Sequence, residues 1–180
     1  MSFTIIGTDL FHNGKPIRLR GAGLGGWLLV EAHMYGIPAV EQHMREAFAE
    51  ILGSESASRY WEAFQDSYYT EADIAWLAGL GFNLIRVPFN YRLFQDDPLL
   101  GRSRARGFEL LDRVFGWAQR HGMFVLLDLH AASGSQADDW NADEHDAVTV
   151  VAWAAHWLAA YSEWRFTSKW PSEGAAVEAA

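Results

Sequence analysis

The sequence predicts an α/β fold in which helices cover both faces of a parallel sheet, preceded by a β-hairpin. Two apolar runs of strand length, residues 82–87 and 123–129, lack the polar alternation of half-exposed strands. Segments with helical apolar spacing separate them, an order typical of parallel sheets. With 180 residues, of which 50% are apolar and 14% aromatic, the chain is long enough for one globular domain.

The N-terminal segment is predicted to form short strands around the dipeptide Asn13-Gly14, a strong hairpin signal. A further strand is expected from Ile17 to Ala22, where a run of glycines begins. The first buried strand of the sheet is then predicted at residues 82–87 and is expected to end at Pro88.

Helices are predicted between these strands. Residues 39–53 have helical apolar spacing and end at Gly53, and residues 56–81 continue with the same period. Thr70, before Glu71, is the expected N-cap of a new helix within that second segment. Further helices are expected at residues 105–122 and 146–164, before and after the strand at 123–129.

Composition excludes several classes of function. The net charge is −9 and the basic residues form no long run, which argues against binding to nucleic acid or anionic membranes. There are no cysteines, so disulfides and thiolate metal sites are excluded. The N-terminus "MSFTIIGTDLF" lacks the pattern of a signal peptide, and no apolar stretch approaches membrane-spanning length. A cytoplasmic location is therefore expected.

Polar residues interrupt the apolar strands near their ends. Alternation places Asp128 and His130 on one face of their strand, and Arg86 is expected on the same face of the neighbouring strand. The carboxyl ends of parallel strands are where α/β folds place active sites, so these side chains are expected to converge there, with Asp128 holding the Arg86 guanidinium. The alternative is a core ion pair and a hydrogen-bonded histidine without a ligand.

Four motifs carry a family resemblance. They are "LRGAGLGGWLLVE", "GFNLIRVPFNYRLF", "GFELLDRV" and "LLDLHAASGSQADDW". Over about residues 14–145 the chain resembles glycoside hydrolase family 5, the cellulase and exo-glucanase family. The resemblance implies a (β/α)8 TIM barrel of retaining β-glycosidases that acts on β-glucan or β-glucoside substrates and needs no cofactor.

The resemblance also implies roles for individual residues. Arg86 matches the arginine that positions the nucleophile, and His130 matches a histidine lining the sugar subsite at the point of cleavage. Glu31 matches an acidic residue that hydrogen-bonds sugar hydroxyls, and Asp128 is expected to support Arg86. Further substrate contacts are expected at the mouth of the barrel, from Asn90, Tyr91, Gln136, Asp139 and Trp140.

The catalytic carboxyl groups of the family are not found. Retaining enzymes use two carboxyl groups about 5–5.5 Å apart, and the family takes them from glutamates after strands 4 and 7, the first in an Asn-Glu-Pro motif. This sequence has no Asn-Glu-Pro, and only 51 residues follow Leu129, whereas a whole barrel takes about 250. We therefore expect one incomplete domain over residues 1–180: the first three or four βα units, then a divergent tail at 146–180, truncated or frame-shifted and inactive alone.

Other interpretations stay open. Open sheet edges predict self-association, and a half barrel is also compatible with a non-catalytic carbohydrate-binding or scaffold protein. A metal-dependent hydrolase would draw its ligands from one strand and one loop: Asp128, His130, Asp138, Asp139, Asp143 and His145. An active enzyme would need a substitute acid from the same loop, namely Glu144, Asp139 or Asp143.

The aromatic residues and the glutamates of the helical segments divide into two expected groups. Sugar-stacking platforms are expected at Trp27, Tyr91 and Trp140. Core packing is expected for Trp61, Trp76, Trp117, Trp153 and Trp157. A solvated helix surface is expected for Glu41, Glu46, Glu50, Glu55 and Glu62.

Overall fold

The computed structural model describes residues 3–131, which form two three-stranded sheets and four α-helices. The strands are β1 (Phe3–Ile6), β2 (Asp9–His12), β3 (Lys15–Pro16), β4 (Gly21–Gly23), β5 (Leu84–Asn90) and β6 (Phe124–Ala131). The helices are α1 (Glu41–Leu52), α2 (Ser54–Ser67), α3 (Glu71–Gly79) and α4 (Arg104–Arg120). Short 3₁₀ turns lie at Ala32–Tyr35, Tyr91–Phe94 and Pro98–Leu100.

The predicted hairpin is confirmed. Strands β1, β2 and β3 pair antiparallel, and Asn13 and Gly14 turn the chain between β2 and β3 with φ of 50° and 77°. The rings of Phe3 and His12 pack against Phe124, with centroids 5.1 and 4.9 Å from that ring. Because Phe124 begins β6, the hairpin lies against the amino end of the parallel sheet.

The parallel sheet has the order β4-β5-β6, with Gly21 opposite Leu84 and Leu84 opposite Phe124. Its first strand is shorter and begins later than the predicted segment 17–22. The prediction that Pro88 ends the second strand is wrong, since β5 continues to Asn90. The Arg86 carbonyl and the Asn90 N–H both bond toward the β4 side. Pro88 lies between them and beyond the end of β4, so no strand there needs the N–H that proline lacks.

One face of this sheet is covered by helices and the other is more open. Ile85, Val87 and Phe89 are fully buried in the same core as Ile74 of α3 and Val114 of α4. The opposite face carries the polar residues of β5 and β6. Among residues 3–131 the sheet does not close into a barrel, and the described part is a mixed helix-and-sheet structure consistent with a partial fold.

The helix predictions hold in outline, with one error in their packing. Helix α1 ends before Gly53, which has φ of 78°, and α3 begins after Thr70, whose N–H donates to the Asp73 carboxylate at 2.8 Å. Trp61 and Trp117 are buried as predicted, but Trp76 is 65% exposed on α3, so its predicted core packing is wrong. The predicted helix at 146–164, with Trp153 and Trp157, lies outside the described residues.

None of the helices in the described part of the chain is long and apolar enough to cross a membrane.

Candidate functional site

Arg86, Asp128 and His130 meet at the carboxyl end of the sheet. Side chains alternate along a strand, so Asp128 and His130, two residues apart, lie on the same face of β6. The parallel pairing of Arg86 with Leu126 places Arg86 on that face of the neighbouring strand β5. Arg86 forms an ion pair with Asp128, and Arg86 Nη2 lies 3.0 Å from His130 Nδ1. The predicted convergence is therefore present in the structure.

The protonation of His130 Nδ1 decides how this cluster is bonded. That nitrogen lies 3.1 Å from Asp128 Oδ2 as well as 3.0 Å from Arg86 Nη2. Unprotonated Nδ1 accepts a hydrogen bond from Arg86, and protonated Nδ1 donates one to Asp128. In both states the ring is held from the Nδ1 side, which leaves Nε2 for another partner.

Glu31 is the nearest described acidic residue to that second nitrogen. Its Oε1 lies 4.0 Å from His130 Nε2, within ion-pair range but too far for a direct hydrogen bond. Glu31 follows the glycine-rich loop after β4 and precedes the 3₁₀ turn Ala32–Tyr35, where its carbonyl accepts from the Met34 N–H at 2.9 Å. A ligand hydroxyl between the two side chains can bond to both of them.

The cluster is accessible to a ligand. The side chains of Arg86, Asp128, His130 and Glu31 are 42%, 28%, 33% and 20% exposed in the described structure. It therefore offers an accessible carboxylate and an accessible imidazole, and the Arg86–Asp128 ion pair holds the imidazole from its Nδ1 side. Such groups bind hydroxyl-rich or cationic ligands through directed hydrogen bonds.

Other predicted contacts are placed differently. Asn90 and Tyr91 are only 3% and 4% exposed, so neither side chain faces the open cluster, and the predicted stacking platform at Tyr91 is wrong. Trp27 is fully buried, stacks on Trp117 at 6.3 Å and donates from Nε1 to the Gln65 carbonyl at 2.9 Å. Its predicted sugar-stacking role is therefore wrong as well.

Glu41 is buried near the site, so the prediction that it lies on a solvated helix surface is wrong. It is 6% exposed, and its Oε2 accepts hydrogen bonds from the Val30 N–H at 3.2 Å and from Asn90 Nδ2 at 3.1 Å. Burial by itself raises the pKa of Glu41, but the charges of Arg45 and Arg102 outweigh it and hold the pKa below its ordinary value. The i,i+4 spacing of Glu41 and Arg45 was the available signal, but such pairs usually lie on helix surfaces.

Several predicted positions lie outside the described residues. Among the substrate contacts these are Gln136, Asp139 and Trp140, and among the metal ligands Asp138, Asp139, Asp143 and His145. The loop acid Glu144 is outside as well. Within residues 3–131, no group of three or more histidine and acidic side chains is arranged to hold a metal ion.

Sequence comparison places the chain near glycosidases. It is 42% identical over 131 residues to a "Beta-xylosidase" of Phanerodontia chrysosporium, covering 73% of this chain and 28% of that protein. It is 36% identical over 141 residues to "Glucan 1,3-beta-glucosidase I/II" of Saccharomyces cerevisiae, covering 68% of this chain and 30% of that protein. The chain thus spans less than a third of the length of these relatives.

Structure comparison agrees on the fold. The rutinosidase from Aspergillus niger superposes with a TM-score of 0.60 at 22% identity, covering 82% of this chain and 44% of that chain. Separately, the family described as "Type II CBASS E2 protein" matches residues 132–177, about a quarter of the chain and outside the described residues. That match is too short to assign the chain to this second family.

Proposed function

We propose that this chain, which is related over about three quarters of its length to the glycosidases of glycoside hydrolase family 5, carries part of the sugar-binding site of a retaining β-glycosidase. The observation that supports this proposal most directly is the cluster of Glu31, Arg86 and His130 at the carboxyl end of the sheet. It lies where barrel enzymes bind their substrates. The proposed substrates are β-linked glucosides or glucans.

Each side chain has a proposed task. Glu31 Oε1 and His130 Nε2 bind the same sugar hydroxyl, because their separation of 4.0 Å suits a hydroxyl that bonds to both. Asp128 fixes the Arg86 guanidinium by an ion pair, and Arg86 then presents its remaining N–H groups toward the cleavage point. Gln136, Asp139 and Trp140 are proposed to complete the sugar contacts.

We propose no catalytic carboxyl pair among the residues of this chain. The sequence holds no Asn-Glu-Pro, the motif that carries the acid/base glutamate in the family. The fold is proposed to be the first three or four βα units of a TIM barrel, with residues 146–180 as a divergent tail. We propose that the chain alone binds sugar without cleaving it, and that β4 and β6, the edge strands of the sheet as described over residues 3–131, support self-association.

The test is calorimetric titration of the purified chain with β-1,3- and β-1,4-linked glucose oligomers. We expect saturable heat for the unmodified chain. In Glu31→Gln and His130→Ala the affinity should fall about tenfold or more, or binding should be lost, since a hydrogen bond to a charged group contributes about 1.5–3 kcal/mol. Glu50→Gln, an exposed carboxyl on α1, is the matched control and should bind like the unmodified chain.

Two outcomes would contradict the proposal. Absence of saturable heat with any oligomer would contradict sugar binding. Turnover of an aryl β-glucoside that a single glutamate substitution abolishes would contradict the absence of the catalytic pair.

A further inference from the structure

Glu41 joins the two segments that carry the candidate site. Its Oε2 accepts from the backbone N–H of Val30, the residue before Glu31, and from the side-chain amide of Asn90, the last residue of β5. Arg86 lies on the same strand, four residues before Asn90. One buried carboxylate oxygen therefore connects the loop that holds Glu31 to the strand that holds Arg86.

The other side of the carboxylate is fixed by charge. Glu41 Oε1 accepts from Arg45 Nε at 2.6 Å, and Arg102 Nη2 lies 3.8 Å away. The Arg45 guanidinium is itself held, 4.2 Å from the ring centroid of Trp61 and 3.2 Å from the Leu100 carbonyl. Because both oxygens of Glu41 have fixed partners, the side chain cannot move without breaking several buried bonds.

The cost of this arrangement suggests a task beyond packing. Burying an ion pair contributes little net stability compared with apolar side chains of similar size. Here, however, the Val30 N–H is buried, and an apolar side chain at position 41 would leave it without this acceptor. The network thus holds the backbone beside Glu31 through a directed hydrogen bond, which apolar packing alone could not provide.

We propose that Glu41 is a positioning residue that holds Glu31 within reach of His130. Asn90 acts in the same device: it anchors Glu41 to β5 and does not itself touch the sugar. The inference rests on the proposed function in so far as Glu31 binds a sugar hydroxyl. Its structural part, the fixing of the Val30–Glu31 backbone by Glu41, is testable without any ligand.

The experiment compares amide hydrogen exchange and sugar binding in Glu41→Gln and in Glu50→Gln, a control on the same helix. We expect Glu41→Gln to speed exchange at Val30 by about tenfold or more relative to Val87, a buried residue of β5 that reports on global opening. We also expect it to weaken oligomer binding about as much as Glu31→Gln does. The double variant Glu31→Gln/Glu41→Gln should then bind the oligomer no more weakly than either single variant, because both substitutions act on the same contact.

The outcomes separate the two proposals. If the unmodified chain gives no binding heat, the proposed function fails, while the exchange rates still test the role of Glu41. Val30 exchange that changes only in parallel with Val87, or sugar affinity that is unchanged in a folded Glu41→Gln, would overturn the inference. Should Glu41→Gln not fold, Asn90→Ala keeps the Glu41 carboxylate but removes its link to β5, together with the bond that Asn90 Oδ1 accepts from the Arg92 N–H. This variant should speed Val30 exchange relative to Val87 in the same way, and unchanged exchange would overturn the inference.

Discussion

Trp27 tests whether the structure has correctly separated the core from the site. The sequence suggests a ring that stacks on sugar, whereas the structure buries it completely between Trp117 and Tyr69, with centroids 6.3 and 5.7 Å away. Trp27→Ala should therefore destabilise the fold. Trp27→Phe should keep much of the ring packing but lose the hydrogen bond from Nε1 to the Gln65 carbonyl.

The expected magnitude follows from these contacts. Truncating a fully buried tryptophan to alanine costs about 3–5 kcal/mol, and removing the donor from a buried acceptor costs about 1–3 kcal/mol more. Trp27→Ala is thus expected to lose about 4–8 kcal/mol, much of the 5–15 kcal/mol by which typical domains are stable. Trp27→Phe is expected to lose about 1–3 kcal/mol.

Urea unfolding followed by circular dichroism measures both losses. Trp76→Phe is the matched control, because Trp76 is 65% exposed and should change stability by less than about 0.5 kcal/mol. A Trp27→Phe variant as stable as the unmodified chain, but with weakened oligomer binding, would show that the ring faces the ligand and would refute the assignment.

Three other changes test the fold and its charges. Gly107→Ala should destabilise the fold by about 1–3 kcal/mol or more, because the new Cβ would lie 2.2 Å from the Leu93 carbonyl oxygen. Gly116→Ala on the same helix is the control, since its Cβ meets only the flexible end of Arg120. Equal urea midpoints for the two variants would contradict this prediction. Gly26→Ala should also destabilise, since φ is +74° and its Cβ would lie 2.8 Å from the Tyr68 hydroxyl, and an unchanged melting temperature would count against the loop geometry. The fold lowers the pKa of Glu41, so its charge stabilises the protein at pH values above 4.5, the ordinary pKa, and this contribution is lost as the pH falls through the folded pKa. The difference in unfolding free energy between the unmodified chain and Glu41→Gln should therefore narrow on acidification. A difference that widens would contradict the ion pairing.

The sequence was sufficient where geometry follows from periodicity. Side chains alternate along strands, and parallel neighbours share their faces, so the meeting of Arg86 with Asp128 and His130 could be predicted from their positions. The turn at Asn13-Gly14 and the N-cap at Thr70 were predictable for a similar reason, because local residue chemistry specifies them.

The errors arose where a partner lies far away in the chain. The burial of Glu41 depends on Asn90 and Arg102, about fifty and sixty residues later, and nothing in α1 indicates them. Pro88 fits inside β5 because β4 is short, which is a property of another strand. Periodicity also identifies an apolar face without showing what covers it, so it failed to distinguish exposed Trp76 from buried Trp61.

The central claim is that sugar binds at the carboxyl end of the sheet, between Glu31 and His130. The most direct measurement is a nuclear magnetic resonance titration of the histidine ring signals with glucose oligomers. We expect the His130 ring signals to shift saturably, while those of His121, just beyond the far end of α4, stay fixed. Saturable shifts at the Trp27 indole with none at His130, or no shifts at any histidine, would contradict the account.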